Sequence, residues 1–104
     1  MRKKTKKVSG ILLEKGSLDV LADVEIQIDL IEPDSPQGRP RFEALITTSD
    51  YRPDLSDKHH ILKINEEVKG EVFIHIVGFP GNPTNYKAKL SGSEWQNTEW
   101  FNSL

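Results

Sequence analysis

Between Leu18 and Leu30 apolar and polar residues alternate with a single lapse. Leu18, Val20, Ala22, Val24, Ile26, Ile28 and Leu30 hold the even positions; Asp19, Asp23, Glu25, Gln27 and Asp29 hold the odd ones, with Leu21 the exception. Successive side chains of a β-strand point to opposite faces, so the run predicts a strand with one buried face and one wet, acidic face. A helix would scatter the same residues around its axis.

The even-numbered phase recurs. It predicts further strands over about residues 7–14 (Val8, Leu12), 42–48 (Phe42, Ala44, Ile46, Thr48), 59–65 (Leu62, Ile64), 70–78 (Val72, Ile74, Ile76) and 86–90 (Tyr86, Ala88, Leu90). Lys15-Gly16-Ser17 reads as the turn into the long run. Pairing Leu12 with Val20 places Ile11 opposite Leu21, which would give the lapse an apolar cross-strand contact. Segments 33–40 and 79–84, rich in proline and glycine, read as loops, as does the polar stretch 50–58. Ser93-Glu94-Trp95-Gln96 fits a capping box, in which a serine accepts a helix amide and Gln96 reaches back. The chain therefore closes on a short C-terminal helix or an extended strap.

These elements define an all-β fold of about six antiparallel strands, a small barrel or a sandwich. Thirteen extended residues span roughly 43 Å, whereas a domain of this size has a radius of gyration of about 13 Å. The long strand, about residues 18–31, must therefore bend, bulge or pass between sheets near Leu21-Ala22. A chain of 104 residues builds one core.

Composition narrows the chemistry. With no cysteine, disulfides, thiolate metal sites and thiol nucleophiles are excluded. The apolar stretch from Val8 to Leu13 is too short for a signal-peptide core, and no stretch approaches the length of a membrane span, so a cytoplasmic domain without membrane partners is expected. Charge is unevenly placed. Arg2, Lys3, Lys4, Lys6 and Lys7 fall in the first seven positions, and the remainder holds nine basic and sixteen acidic residues. Residues 1–7 read as a flexible basic tail ahead of a domain over 8–104. Such a tail can seek phosphate, which gives one alternative: a nucleic-acid accessory protein using those five residues and an OB-like barrel.

Histidines offer another. A hairpin about Glu67 can place Lys63 opposite Glu71, Ile61 opposite Phe73 and His59 opposite His75. The charge pair favours that register. His59 and His75 would then be weak metal candidates, with no clear third ligand. His60 would point to the other face. A metal-dependent hydrolase centred on His59, His60 and His75, with Asp57 nearby, is the less favoured alternative. Asp50, Asp54 and Asp57 lack the spacing of a calcium loop and read as local caps. No nucleophile elbow and no phosphate-cradling glycine loop is present, and no cofactor is implied.

The outer face carries more. Ile61, Phe73, Val77 and Phe79 make the fourth and fifth strands apolar on both sides. Such a patch must be covered, either by the chain's own Trp95, Trp100 and Phe101 or by a protein partner or second copy. The favoured reading is a non-catalytic binding or protein-interaction domain working through those seven residues. The acidic face of the long strand is the surface least suited to that task.

Overall fold

The computed structural model describes residues 2–76 and 84–104. Six strands close into an antiparallel barrel: β1 (Arg2–Glu14), β2 (Val20–Glu32), β3 (Arg41–Thr48), β4 (Lys58–Lys63), β5 (Lys69–Ile76) and β6 (Asn85–Leu90). Their order around the wall is β1-β2-β3-β6-β5-β4, with β4 returning to β1. This is the all-β fold that the alternation requires, in its barrel form. An OB barrel has five strands, so the OB-like expectation is replaced by a six-stranded wall.

The even-numbered phase is the interior. The residues that the strands give to the buried cluster are Leu12, Val24, Ile26, Ile28, Leu30, Ala44, Ile46, Leu62, Val72, Ile74, Tyr86 and Ala88, every one at an even position. One barrel wall buries one side of every strand, so the period of two must hold through all six.

The long strand does depart from regularity near Leu21. Leu12 pairs with Ala22, but Leu13 pairs with Val20, which leaves Leu21 as an extra residue in a β-bulge. The expected pairing of Leu12 with Val20, and of Ile11 with Leu21, is therefore corrected: Ile11 faces Asp23. The bulge also ends the phase. Leu18 and Val20, beyond it, are 56% and 63% exposed, and Leu18 adopts φ 61° in the turn. A strand of thirteen residues fits a body 40 Å in its longest extent with a radius of gyration of 13.7 Å because it coils and bulges.

Two further expectations change. The basic segment is no loose tail: residues 2–7 are the first half of β1, paired with Gln27–Glu32 of β2. Lys3 lies 3.6 Å from Asp29 and Lys4 3.5 Å from Glu32, so opposite charges across the ladder hold it there. The Ser93 capping box does not form, since no side chain caps the 3-10 turn at Ser93–Trp95. The chain ends in that turn and in α1 (Glu99–Asn102), a single helical turn.

That C-terminal unit closes one end of the barrel. Trp95, Trp100 and Phe101 are 3%, 8% and 0% exposed. Trp100 packs 4.6 Å from the Phe42 ring and 4.8 Å from the Trp95 ring. Trp95 lies on Gly70, where a Cβ would come within 2.7 Å of the indole, and its Nε1 donates to the Glu71 carbonyl at 2.8 Å. Glycine is required there for close approach. Loop 49–57, by contrast, contributes the buried Leu55 to the same core.

Candidate functional site

The β4–β5 hairpin is set by its turn. Asn65 Oδ1 accepts from the amides of Glu67 and Val68 at 2.8 and 2.9 Å, and Ile64 N–H donates to the Val68 carbonyl. This side chain–backbone turn is the kind asparagine favours. It fixes Lys63 opposite Lys69, Ile61 opposite Glu71 and His59 opposite Phe73. The expected register, with Lys63 opposite Glu71 and His59 opposite His75, is corrected by two residues. A shift of two keeps every side chain on its face, so the hydrophobic pattern could not discriminate between them. The charges find other partners: Lys63 reaches Glu66 at 3.0 Å, while Glu71 takes Lys15 at 3.2 Å and His59 Nδ1 at 2.8 Å.

The register decides the histidines. Phe73 lies half-buried on the outer wall, and the rings of His59 and His75 meet it edge-on at 4.8 and 4.6 Å between centroids. The pair expected to face one another is instead organised around an aromatic ring. His60 lies on the inner face, 5% exposed, with Nε2 2.8 Å from the Leu55 carbonyl oxygen. The three do not converge on a common point. Among the described residues no group of three or more His, Asp or Glu is placed to hold a metal.

Loop 49–57 is a local structure. The Arg52 guanidinium grips the Asp54 carboxylate through Nε–Oδ1 at 3.0 Å and Nη2–Oδ2 at 2.9 Å, and its Nη1 donates to the Leu21 carbonyl at 2.8 Å. Arg52 N–H donates to the Tyr86 hydroxyl at 2.8 Å. The hydrogen bonds from Arg52 hold Asp54 below the ordinary carboxylate range, and the carboxylate in turn raises Arg52. Arg52 thus ties the loop to the bulge at Leu21, and Asp54 is committed to Arg52.

Two surfaces remain. One is the outer face of β4, β5 and β6. Phe73 pairs across the ladder with Lys89 and His75 with Lys87, and both lysines are exposed. Ile61 is half-buried one register step away, opposite Glu71. Of the residues expected to form a partner surface, Ile61 and Phe73 therefore lie on this wall. Trp95, Trp100 and Phe101 do not reach it, because they fill the barrel end. Val77 and Phe79 lie outside the described residues.

The other surface is a groove of about 720 Å³ where β1, β2 and β3 pass the β4–β5 turn. Gly10, Ile11, Val24 and Ile64 give it apolar walls, and Asp23, Glu25 and Glu66 an acidic rim. Ser9 Oγ donates to Glu25 at 3.0 Å. The acidic face of the long strand, the least suited to a partner by its charge pattern, thus carries a groove. Gly10 was the available signal. A Cβ there would come within 2.8 Å of Ile26 Cδ1 and of the Lys63 carbonyl, and a glycine inside a strand marks such a close approach.

None of the described helices is long and apolar enough to cross a membrane. No protein-family model matches the chain, and neither a curated protein nor a solved structure matches it.

Proposed function

We propose that this chain is a non-catalytic binding domain whose protein partner docks on the outer face of β4, β5 and β6 around Phe73. The observation that carries the reading is the placement of Phe73. It stands outside the barrel with His59 and His75 packed edge-on against it, while the C-terminal aromatics are used on the core. An aromatic ring held on a rigid wall by neighbouring rings is a low-entropy anchor for a partner. The dispersal of His59, His60 and His75 over two faces supports binding over catalysis, since a nucleophile, base and orienting group must meet.

A photo-crosslinking amino acid placed at position 73 tests this, with the same group at the exposed Tyr51 as control. Position 73 should trap a partner or a second copy in appreciable yield and position 51 should not. Equal yields at both positions would remove the reading.

One observation favours a second reading of the same wall. Lys87 and Lys89 flank the aromatic strip, an arrangement on which single-stranded nucleic acid can stack its bases and lay its phosphates. That reading expects binding to a single-stranded oligonucleotide that weakens with salt and is lost in a Lys87→Glu, Lys89→Glu double variant. The basic residues of β1 are a poorer phosphate surface than a free tail, because Lys3, Lys4 and Lys6 have partners within the fold.

A further inference from the structure

The barrel closes along only part of β1. β4 pairs with it at four positions, from Ile11 opposite Lys63 to Glu14 opposite His60. From Arg2 to Gly10, β1 has β2 on one side and no strand on the other among the described residues.

Strand alternation says which backbone groups face that slot. Glu14 N–H donates to the Asp19 carbonyl, so the even-numbered residues of β1 turn their N–H and C=O groups toward β2. Odd-numbered residues turn theirs the other way, as Ile11 and Leu13 do toward β4. Lys3, Thr5, Lys7 and Ser9 therefore present amides and carbonyls to the line that β4 leaves after Lys63. Among the described residues the C-terminal unit makes no backbone hydrogen bond to this edge; it is linked to β1 through the side chain of Lys6. An unpaired row of this kind is a template for another strand.

Charge selects the occupant. The stretch from Arg2 to Leu13 holds no acidic residue. The side chains of Lys3, Thr5, Lys7 and Ser9 are exposed on the outer face. The nearest carboxylates sit one strand away, Asp29 bound by Thr5 at 2.6 Å and near Lys3, and Glu25 bound by Ser9. Lys7 has no ionic partner among the described residues. A second copy adding its own β1 in antiparallel fashion would set lysine against lysine, which is unfavourable for facing residues. A strand with carboxylates at alternate positions would face Lys3 and Lys7 instead.

We propose that the free edge of β1 from Lys3 to Ser9 is a strand-addition site for an extended acidic segment of a partner protein. The site is separate from the Phe73 wall and stands whether or not a partner docks there.

The test uses the full chain and a ten-residue peptide alternating glutamate and valine, with a lysine–valine peptide as control. Amide exchange is read by NMR. With the acidic peptide in excess, the amides of Lys3, Thr5, Lys7 and Ser9 slow by about tenfold or more, as new ladder bonds would require. Lys7→Pro removes one donor from the slot and leaves the bonds to β2 in place, since proline is tolerated where a strand's N–H faces outward. This variant should keep its far-UV spectrum and lose the protection. Lys7→Gln keeps the amide and retains binding at reduced affinity. Unchanged exchange with the acidic peptide would overturn the proposal, as would equal protection by the lysine peptide or binding retained by Lys7→Pro. Protection that grows with protein concentration alone would assign the edge to a second copy and overturn it too.

Discussion

Lys6 Nζ lies 2.7 Å from the Phe101 carbonyl oxygen and 4.8 Å from the centre of the Phe101 ring. It also reaches the Leu104 carbonyl at 3.3 Å. Lys6 occupies an inward position of β1, between the phases of Val8 and Lys4, where an apolar residue would be expected. Its side chain is half-buried and its ammonium reaches the C-terminal turn. A lysine of the basic segment thereby fastens the aromatic unit that closes the barrel.

Replacing Lys6 with methionine keeps the stem and removes the donor. The carbonyls of Phe101 and Leu104 lose a charge-assisted partner, so stability should fall by about 1–2 kcal/mol. Urea denaturation measures it. Lys7→Met, on the exposed outer face, should stay close to the parent.

Phe101 is fully buried among Phe42, Trp100 and the Lys6 ammonium. Phe101→Ala should cost about 3–5 kcal/mol, a large part of what a domain of this size possesses. Ending the chain after Gly92 removes Trp95 and Trp100 as well. Thermal unfolding of the truncated chain should lose its cooperative transition, and its solution mass should shift to aggregates. A soluble, folded monomer would contradict closure of the barrel end by the C-terminal unit.

Gly70→Ala drives a methyl group into the Trp95 indole, whose nearest atoms would lie 2.7 Å away. Both β5 and the indole are held by the bond from Trp95 Nε1 to the Glu71 carbonyl, so the clash cannot relax without breaking it. The expected cost is about 1–3 kcal/mol. Tryptophan emission in the native state should shift to the red as the indole moves toward water.

The Arg52–Asp54 pair gives a pH signature. Asp54 titrates below its ordinary value in the folded chain, so its contribution is present above the unfolded carboxylate range and is lost as pH falls through the folded value. Arg52 stays charged throughout. Asp54→Asn should therefore be slightly less stable than the parent at neutral pH and converge with it in strong acid. The Asp54 side chain is 56% exposed, so the difference should stay within about 1 kcal/mol and shrink with salt. Stability curves of both proteins from pH 7 to the acid limit measure it.

Much of the fold is legible in residue order because a barrel wall imposes one rule on every strand. Six strands, the approximate limits of all but the first, the buried even positions and the irregularity at Leu21 all follow from a period of two and from the length of one strand. The candidate surfaces follow far less. Hairpin registers of Lys63 with Glu71 or with Lys69 put the same residues on the same faces, and only the Asn65 turn chooses between them. That choice moved His59 from His75 to Phe73. Similarly, Trp95, Trp100 and Phe101 are visible as bulky and apolar, but nothing in their order says which gap they fill. Contacts with distant residues seat them: Gly70 under Trp95, Phe42 beside Trp100 and Lys6 on Phe101.

Sequence alone determined the class of the fold and the inward phase of its strands, since alternation is a local property that every strand residue carries. Tertiary structure decided the register of the hairpin, the role of the basic segment and the surfaces left free. Those depend on pairings between distant segments: Lys6 with Phe101, Gly70 with Trp95, and the place where β4 leaves β1. Local pattern is silent about which of several equally apolar partners meet, and only closure of the barrel settles it.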